Sequence, residues 1–140
     1  MTNKQAYFQE LKHLVNDPER FVGRCGIEIT EIGEGHAKGR MEYDLATSNL
    51  LGGLHGGALS TLADAVAGMS VASLGYKRVT VHNTMEYFRA SKPGPIYCEA
   101  RVRKSGKSIT VSEATVIDSD GREVAIGTFS FYITDQEKLY

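Results

Sequence analysis

The chain predicts an α+β fold: one long apolar helix enclosed by a curved antiparallel sheet of about six strands. Three observations carry this. Residues 45–76 hold a single formally charged side chain, Asp64, in a run of Leu, Ala, Gly, Val and Met that reads as a helix apolar nearly all the way round. Four strand-like segments follow it, separated by turn residues. The connections between those segments are short, which makes successive strands antiparallel neighbours.

The elements follow in order. Tyr7, Leu11 and the pair Leu14/Val15 recur at helical spacing, so residues 3–16 form a short amphipathic helix within an N-terminal helical segment, residues 1–20. Asp17-Pro18 ends it. Residues 25–32 and 36–44 read as two strands joined around Gly33-Glu34-Gly35. A glycine-rich loop covers 45–54, and the apolar helix runs from 56 to 74, stopped by Gly75. The later strands are 78–90, 95–105, 108–118 and 122–133. Pro93-Gly94-Pro95 breaks the first pair and Ser105-Gly106-Lys107 the second, while Asp118-Ser119-Asp120-Gly121 is a hairpin signal.

With 140 residues and no repeat or linker, residues 1–140 form a single domain large enough for a core without disulfides. Cys25 and Cys98 read as reduced thiols of a cytoplasmic protein. The N-terminus lacks the pattern of a secretory signal, and Asp64, His55 and several hydroxyls argue against a membrane-spanning helix. The four histidines and two cysteines show no metal-ligand spacing. There is no nucleophile-elbow serine, no phosphate-cradling loop with its lysine and no base-stacking motif. Net charge is −1, yet residues 77–107 carry eight basic side chains against Glu86 and Glu99. Such a block suggests a local anion site, with solvated strand faces as the competing reading.

Asp64 is the residue that points to chemistry. An unpaired carboxylate in an apolar helix is costly or has its pKa forced upward, and such groups concentrate at functional sites. The competing reading is a structural aspartate bonded to nearby backbone or to Thr61. His55-Gly56-Gly57 sits where loop becomes helix, and the first N–H groups of a helix have no internal partner. A carbonyl oxygen gaining negative charge is stabilised there, and glycine permits close approach. Asn49, six residues before His55, supplies a neutral amide. Gly57 and Asp64 lie seven residues apart, on one helix face and about 10 Å apart along the axis. That separation is long for one small reacting group. A second subunit bringing its own Asp64 near this chain's Gly57 removes the difficulty.

Asn49, Gly53-Leu54-His55-Gly56-Gly57 and Leu62-Ala63-Asp64 together resemble the signature of the hot-dog-fold acyl-CoA thioesterases. The subgroup is that of the phenylacetate-pathway thioesterase and the mammalian thioesterase superfamily member 2. Thr80-Val81, Tyr87-Phe88-Arg89, Ser105-Gly106-Lys107 and Asp118 to Gly121 extend the resemblance over roughly residues 17–133. It implies hydrolysis of a thioester to a carboxylic acid and CoA. The Gly57 N–H would polarise the carbonyl, Asn49 and His55 would bind or orient it, and Asp64 of a neighbouring subunit would activate water. Thr80 is the best match for the hydroxyl that places the water. The resemblance implies a homo-oligomer, a dimer or a dimer of dimers, with no metal and no redox cofactor. It also gives the basic block a ligand: Arg89, Lys92, Arg103, Lys104 and Lys107 are candidates for the CoA phosphates.

Two departures bear on the pocket. His82 and Asn83 stand where the family more often has an acidic or apolar pair, and Ala90-Ser91 where many relatives have a proline. Two rival functions remain in view at this stage: an acyl-thioester hydratase or dehydratase of the same fold, and a non-catalytic acyl-CoA sensor.

Overall fold

The computed structural model describes residues 1–140. Helices α1 (Asn3–Val15) and α2 (Phe21–Arg24) precede strands β1 (Ile27–Gly33) and β2 (His36–Met41). Helix α3 (Gly56–Ala72) follows, and then β3 (Arg78–Tyr87), β4 (Ile96–Ser105), β5 (Ile109–Ile117) and β6 (Glu123–Ile133). Every expected helix and strand is present, within a few residues at each end.

Local chemistry accounts for the boundaries. Thr2 and Gln5 form a reciprocal capping box at the start of α1. At the far end of α3, Gly75 takes φ +91°, a left-handed conformation that a side chain resists and that ends the helix. Eleven residues of α3 are buried, among them Leu59, Leu62, Val66 and Val71. They pack into a core with Ile29 of β1, Met41 of β2, Ile96 of β4, Val116 of β5 and Phe129 of β6. Burying a side chain of this size contributes about 1.5–3 kcal/mol, which is why so apolar a helix ends up wrapped.

The six strands form one antiparallel sheet in the order β1-β2-β4-β5-β6-β3. One expected pairing fails. Strands 78–90 and 95–105 are not neighbours: β3 pairs with β6, and β4 lies between β2 and β5. The reason lies in the connection between them. Ser91 is buried against the loop before α3, where its Oγ accepts the Leu54 N–H at 2.9 Å. The chain after β3 is therefore pinned across the start of α3 instead of folding back as a hairpin, and Pro93-Gly94-Pro95 carries it to β4. This leaves β3 at the sheet edge, with Val79 and Val81 about half exposed, at 51% and 55%. No helix is long and apolar enough to cross a membrane.

The helix is not enclosed all round. Gly57 is exposed, and Ser60, Thr61 and Asp64 are half-buried. These positions share one face at intervals of three and four residues. A single bare stripe therefore runs along α3, next to the edge strand β3.

Candidate active site

Two half-sites sit on this stripe, about 10 Å apart because the helix between them is unbroken. The first is the start of α3. Asn49 organises the loop ahead of it: its Oδ1 accepts the N–H groups of Leu51 at 2.8 Å and Gly53 at 3.1 Å. Its amide nitrogen donates to the Leu54 carbonyl at 3.3 Å. Gly53 has to be glycine, since a Cβ there would meet the Ser91 carbonyl oxygen at 2.3 Å. The His55 N–H donates to the Thr47 carbonyl at 2.8 Å, fixing where the helix begins.

The His55 side chain then caps the helix itself. The Gly57 N–H donates to His55 Nδ1 at 2.8 Å, which puts the ring proton of a neutral imidazole on Nε2. An acceptor therefore already occupies the position expected for a carbonyl oxygen. Tyr87 reaches across from β3, donating to the Gly56 carbonyl at 3.2 Å. A cavity of about 340 Å3 opens beside these groups, lined by Asn49, Gly56, Tyr87, Arg89 and Ser91 among others.

The second half-site is Asp64. Its partner is Thr80, whose Oγ1 donates to Oδ1 at 3.0 Å. Thr61, named by the competing structural reading, bonds the Gly57 carbonyl instead, at 2.8 Å. Burial raises the Asp64 pKa, opposed by the Thr80 hydrogen bond and the Arg78 charge. A raised pKa suits a carboxylate that must take a proton from water and release it again. A second cavity, of about 320 Å3, lies beside Asp64 and Thr80, walled by Val15, Val22, Met69 and Phe131 with Arg78 at its edge.

The structure thus brings Asn49, His55 and Gly57 together at one end of the stripe, and Asp64 with Thr80 at the other. It does not gather the basic candidates. Arg89 lines the first cavity, and Lys92 nearby is 3.7 Å from Asp120. Arg103 shares a pocket between β4 and β5 with Glu99, Arg101 and Glu113. Lys104 and Lys107 sit at the β4–β5 turn, where the Lys107 carbonyl accepts from Gln136. That turn lies at the opposite end of the ten-residue strand β4, about 30 Å from its start. Within one chain these residues make two separate basic regions.

Two residues at the site escaped sequence reasoning. Ser91 stood out in the sequence only as a departure from the proline of many relatives, because its role is set by a contact 37 residues away. Arg78 did give one: it precedes Thr80 by two residues, so strand alternation puts both on one face.

A curved sheet around one buried helix, carrying an acid and an exposed, His-capped helix start, defines a hot-dog-fold thioester hydrolase. The thioesterase superfamily model matches residues 51–125, and the chain belongs to that superfamily. Solved structures agree. The conserved protein PA5202 of Pseudomonas aeruginosa is 30% identical, with a TM-score of 0.78 over 82% of this chain and 94% of that one. A hypothetical thioesterase of Streptococcus pneumoniae, crystallised with coenzyme A, is 28% identical, with a TM-score of 0.75 over 80% and 88%. The PaaI protein of E. coli, from the phenylacetic acid degradation operon, shares the fold with a TM-score of 0.86 at 23% identity over 93% and 95%.

Proposed function

We propose that the protein is an acyl-CoA thioesterase whose active site is completed by a second copy of the chain. The observation that carries this reading is the bare stripe on α3. The midpoint between Gly57 and Asp64 falls at residues 60–61. A twofold axis passing there sets two α3 helices antiparallel and puts each Gly57 opposite the other chain's Asp64. The same packing covers the exposed β3 edge, with Val79 and Val81. The coenzyme A bound by the Streptococcus pneumoniae relative supports CoA as the carrier.

The chemistry follows from the half-sites. Asp64 takes a proton from water, which Thr80 helps to place, and the water oxygen attacks the thioester carbon. The carbonyl oxygen displaces His55 from the Gly57 N–H and gains negative charge there, at the positive end of the helix. Collapse breaks the carbon–sulfur bond, the leaving thiolate takes the proton that Asp64 removed from water, which restores the base, and the acid departs. Asn49 and His55 orient the carbonyl. Arg89 and Lys92, with Arg103, Lys104 and Lys107 of another subunit, meet the CoA phosphates. The cavity beside Asp64 takes the acyl group. The enzyme works in the cytoplasm as a dimer or dimer of dimers.

Thiol release from phenylacetyl-, hydroxybenzoyl-, acetyl-, hexanoyl- and palmitoyl-CoA tests this. Cleavage of at least one class is expected. Binding of acyl-CoA without cleavage would instead make the protein a sensor. In oxygen-18 water, a single turnover should place label in the released acid and none in Asp64. Label in Asp64 would make the carboxylate a nucleophile.

A further inference from the structure

Arg78 is the one cation on the wall of the cavity beside Asp64, in mostly apolar company. It is half-buried, and its Nε donates to the Gly68 carbonyl at 3.3 Å, which anchors the guanidinium on the helix backbone. Its terminal nitrogens make no hydrogen bond and join none of the chain's ion pairs. Tyr7, nearby, is committed to the Ala72 carbonyl at 2.9 Å; Asp64 accepts the Thr80 hydroxyl on Oδ1 and acts on Arg78 through its charge, without a hydrogen bond to it. A half-buried cation with unpaired donors is costly unless something arrives to pair it. A guanidinium presents two parallel N–H groups, the match for a carboxylate.

Two independent lengths place this group relative to the reacting carbon. Gly68 lies one helical turn beyond Asp64, about 6 Å. Arg78 lies two strand residues from Thr80, about 6.6 Å. Gly68, Arg78 and Thr80 all wall the same cavity as Asp64, the one assigned to the acyl group.

Resting on the thioesterase reading, we infer that Arg78 is a specificity-determining residue that selects acyl groups carrying a carboxylate at their far end. The chain between thioester and carboxylate is short, spanning about one helical turn. Dicarboxylic acids joined to CoA through one end are the substrate class that fits.

The test compares adipyl-CoA with hexanoyl-CoA, which have the same chain length and differ in the terminal carboxylate. Wild type should show the higher kcat/KM for adipyl-CoA. Because the Arg78 charge also acts on Asp64, both substrates are compared at a pH where the Asp64 carboxylate is fully ionised in each variant, and Arg78→Met should lose on the order of 10- to 100-fold more on adipyl-CoA than on hexanoyl-CoA. Arg78→Lys, which keeps the charge without the planar fork, should fall between them. Equal losses on both substrates, or a wild-type preference for hexanoyl-CoA, would overturn the assignment, and hexanoyl-CoA cleavage would still stand for the thioesterase reading. Dissociation constants measured by calorimetry in the Asp64→Asn background keep the two apart if neither substrate is cleaved. Tighter adipyl-CoA binding that Arg78→Met abolishes supports the role of Arg78, and equal binding of both overturns it.

Discussion

Asp64→Asn separates catalysis from folding. The replacement keeps the shape of the side chain and an oxygen at Oδ1 to accept the Thr80 hydroxyl, which now donates at 3.0 Å. It removes the negative charge and the ability to take a proton. A general base contributes about 10²- to 10⁴-fold to rate, so kcat should fall by that factor, about 2.7–5.4 kcal/mol of barrier. Stability should move the other way. Burial raises the folded-state pKa above the ordinary value of 3.8, against the Thr80 bond and the Arg78 charge. A carboxyl group with a raised folded pKa binds its proton more tightly in the native state. Stability is therefore lost as pH rises from the unfolded pKa through the folded one, and the wild type carries that loss at pH 7. The variant does not, so at pH 7 it should be at least as stable as wild type, and the difference should close towards pH 3. The assay is thiol release from the best acyl-CoA, paired with urea denaturation at both pH values. Activity within tenfold of wild type would refute the base assignment. A variant more than about 1 kcal/mol less stable at pH 7 would show that Asp64 is structural, since a surface-level change is worth only about half that.

Thr80→Val removes the hydrogen bond that opposes the raised pKa of Asp64. The acid limb of the kcat/KM profile should move to higher pH, and Thr80→Ser should restore it. Ser91→Ala leaves the buried Leu54 N–H without its acceptor, at a cost of about 1–3 kcal/mol in denaturant titration. Its KM should rise more than its kcat falls, because the loop it holds carries Asn49 and His55 rather than Asp64.

What could be read from the sequence divides by range. The elements were legible because their causes are local: Gly75 ending α3, the turn residues, and the apolar run from 56. The position of β3 was not. It depends on pairing with β6, about 45 residues away, and on Ser91 holding the crossover to the start of α3. The site divides in the same way. Asp64 stood out as the lone charge of its segment, and its helical spacing to Gly57 put both on one face. That His55 caps the helix through Gly57 and that Thr80 bonds Asp64 are tertiary or side-chain facts, and spacing does not contain them. The basic block divides in space for a geometric reason. Residues close in sequence along a ten-residue strand reach from one end of the sheet to the other, so a cluster in sequence is spread in space.

The division of the site along a rigid helix is itself a testable statement. Seven residues of unbroken α-helix hold Gly57 and Asp64 about 10 Å apart, and no side-chain rotation closes that gap. If one chain supplies the carbonyl site and its partner the base, two inactive variants should rescue each other. Asp64→Asn keeps the helix start intact. Gly57→Val crowds it, since a Cβ there would lie 3.0 Å from His55 Nδ1, and leaves Asp64 in place. In a mixed dimer one site then combines the intact Gly57 of the first chain with the intact Asp64 of the second, while the other site carries both defects. Random reassortment of equal amounts makes half of the dimers mixed, each with one working site, so activity should return to about one quarter of wild type. A site contained within one chain would give no recovery at any mixing ratio, because each chain would carry its own defect. Mixing after mild denaturation, with thiol release followed as the dimers reform, distinguishes the two arrangements without any assumption about which acyl group the enzyme prefers.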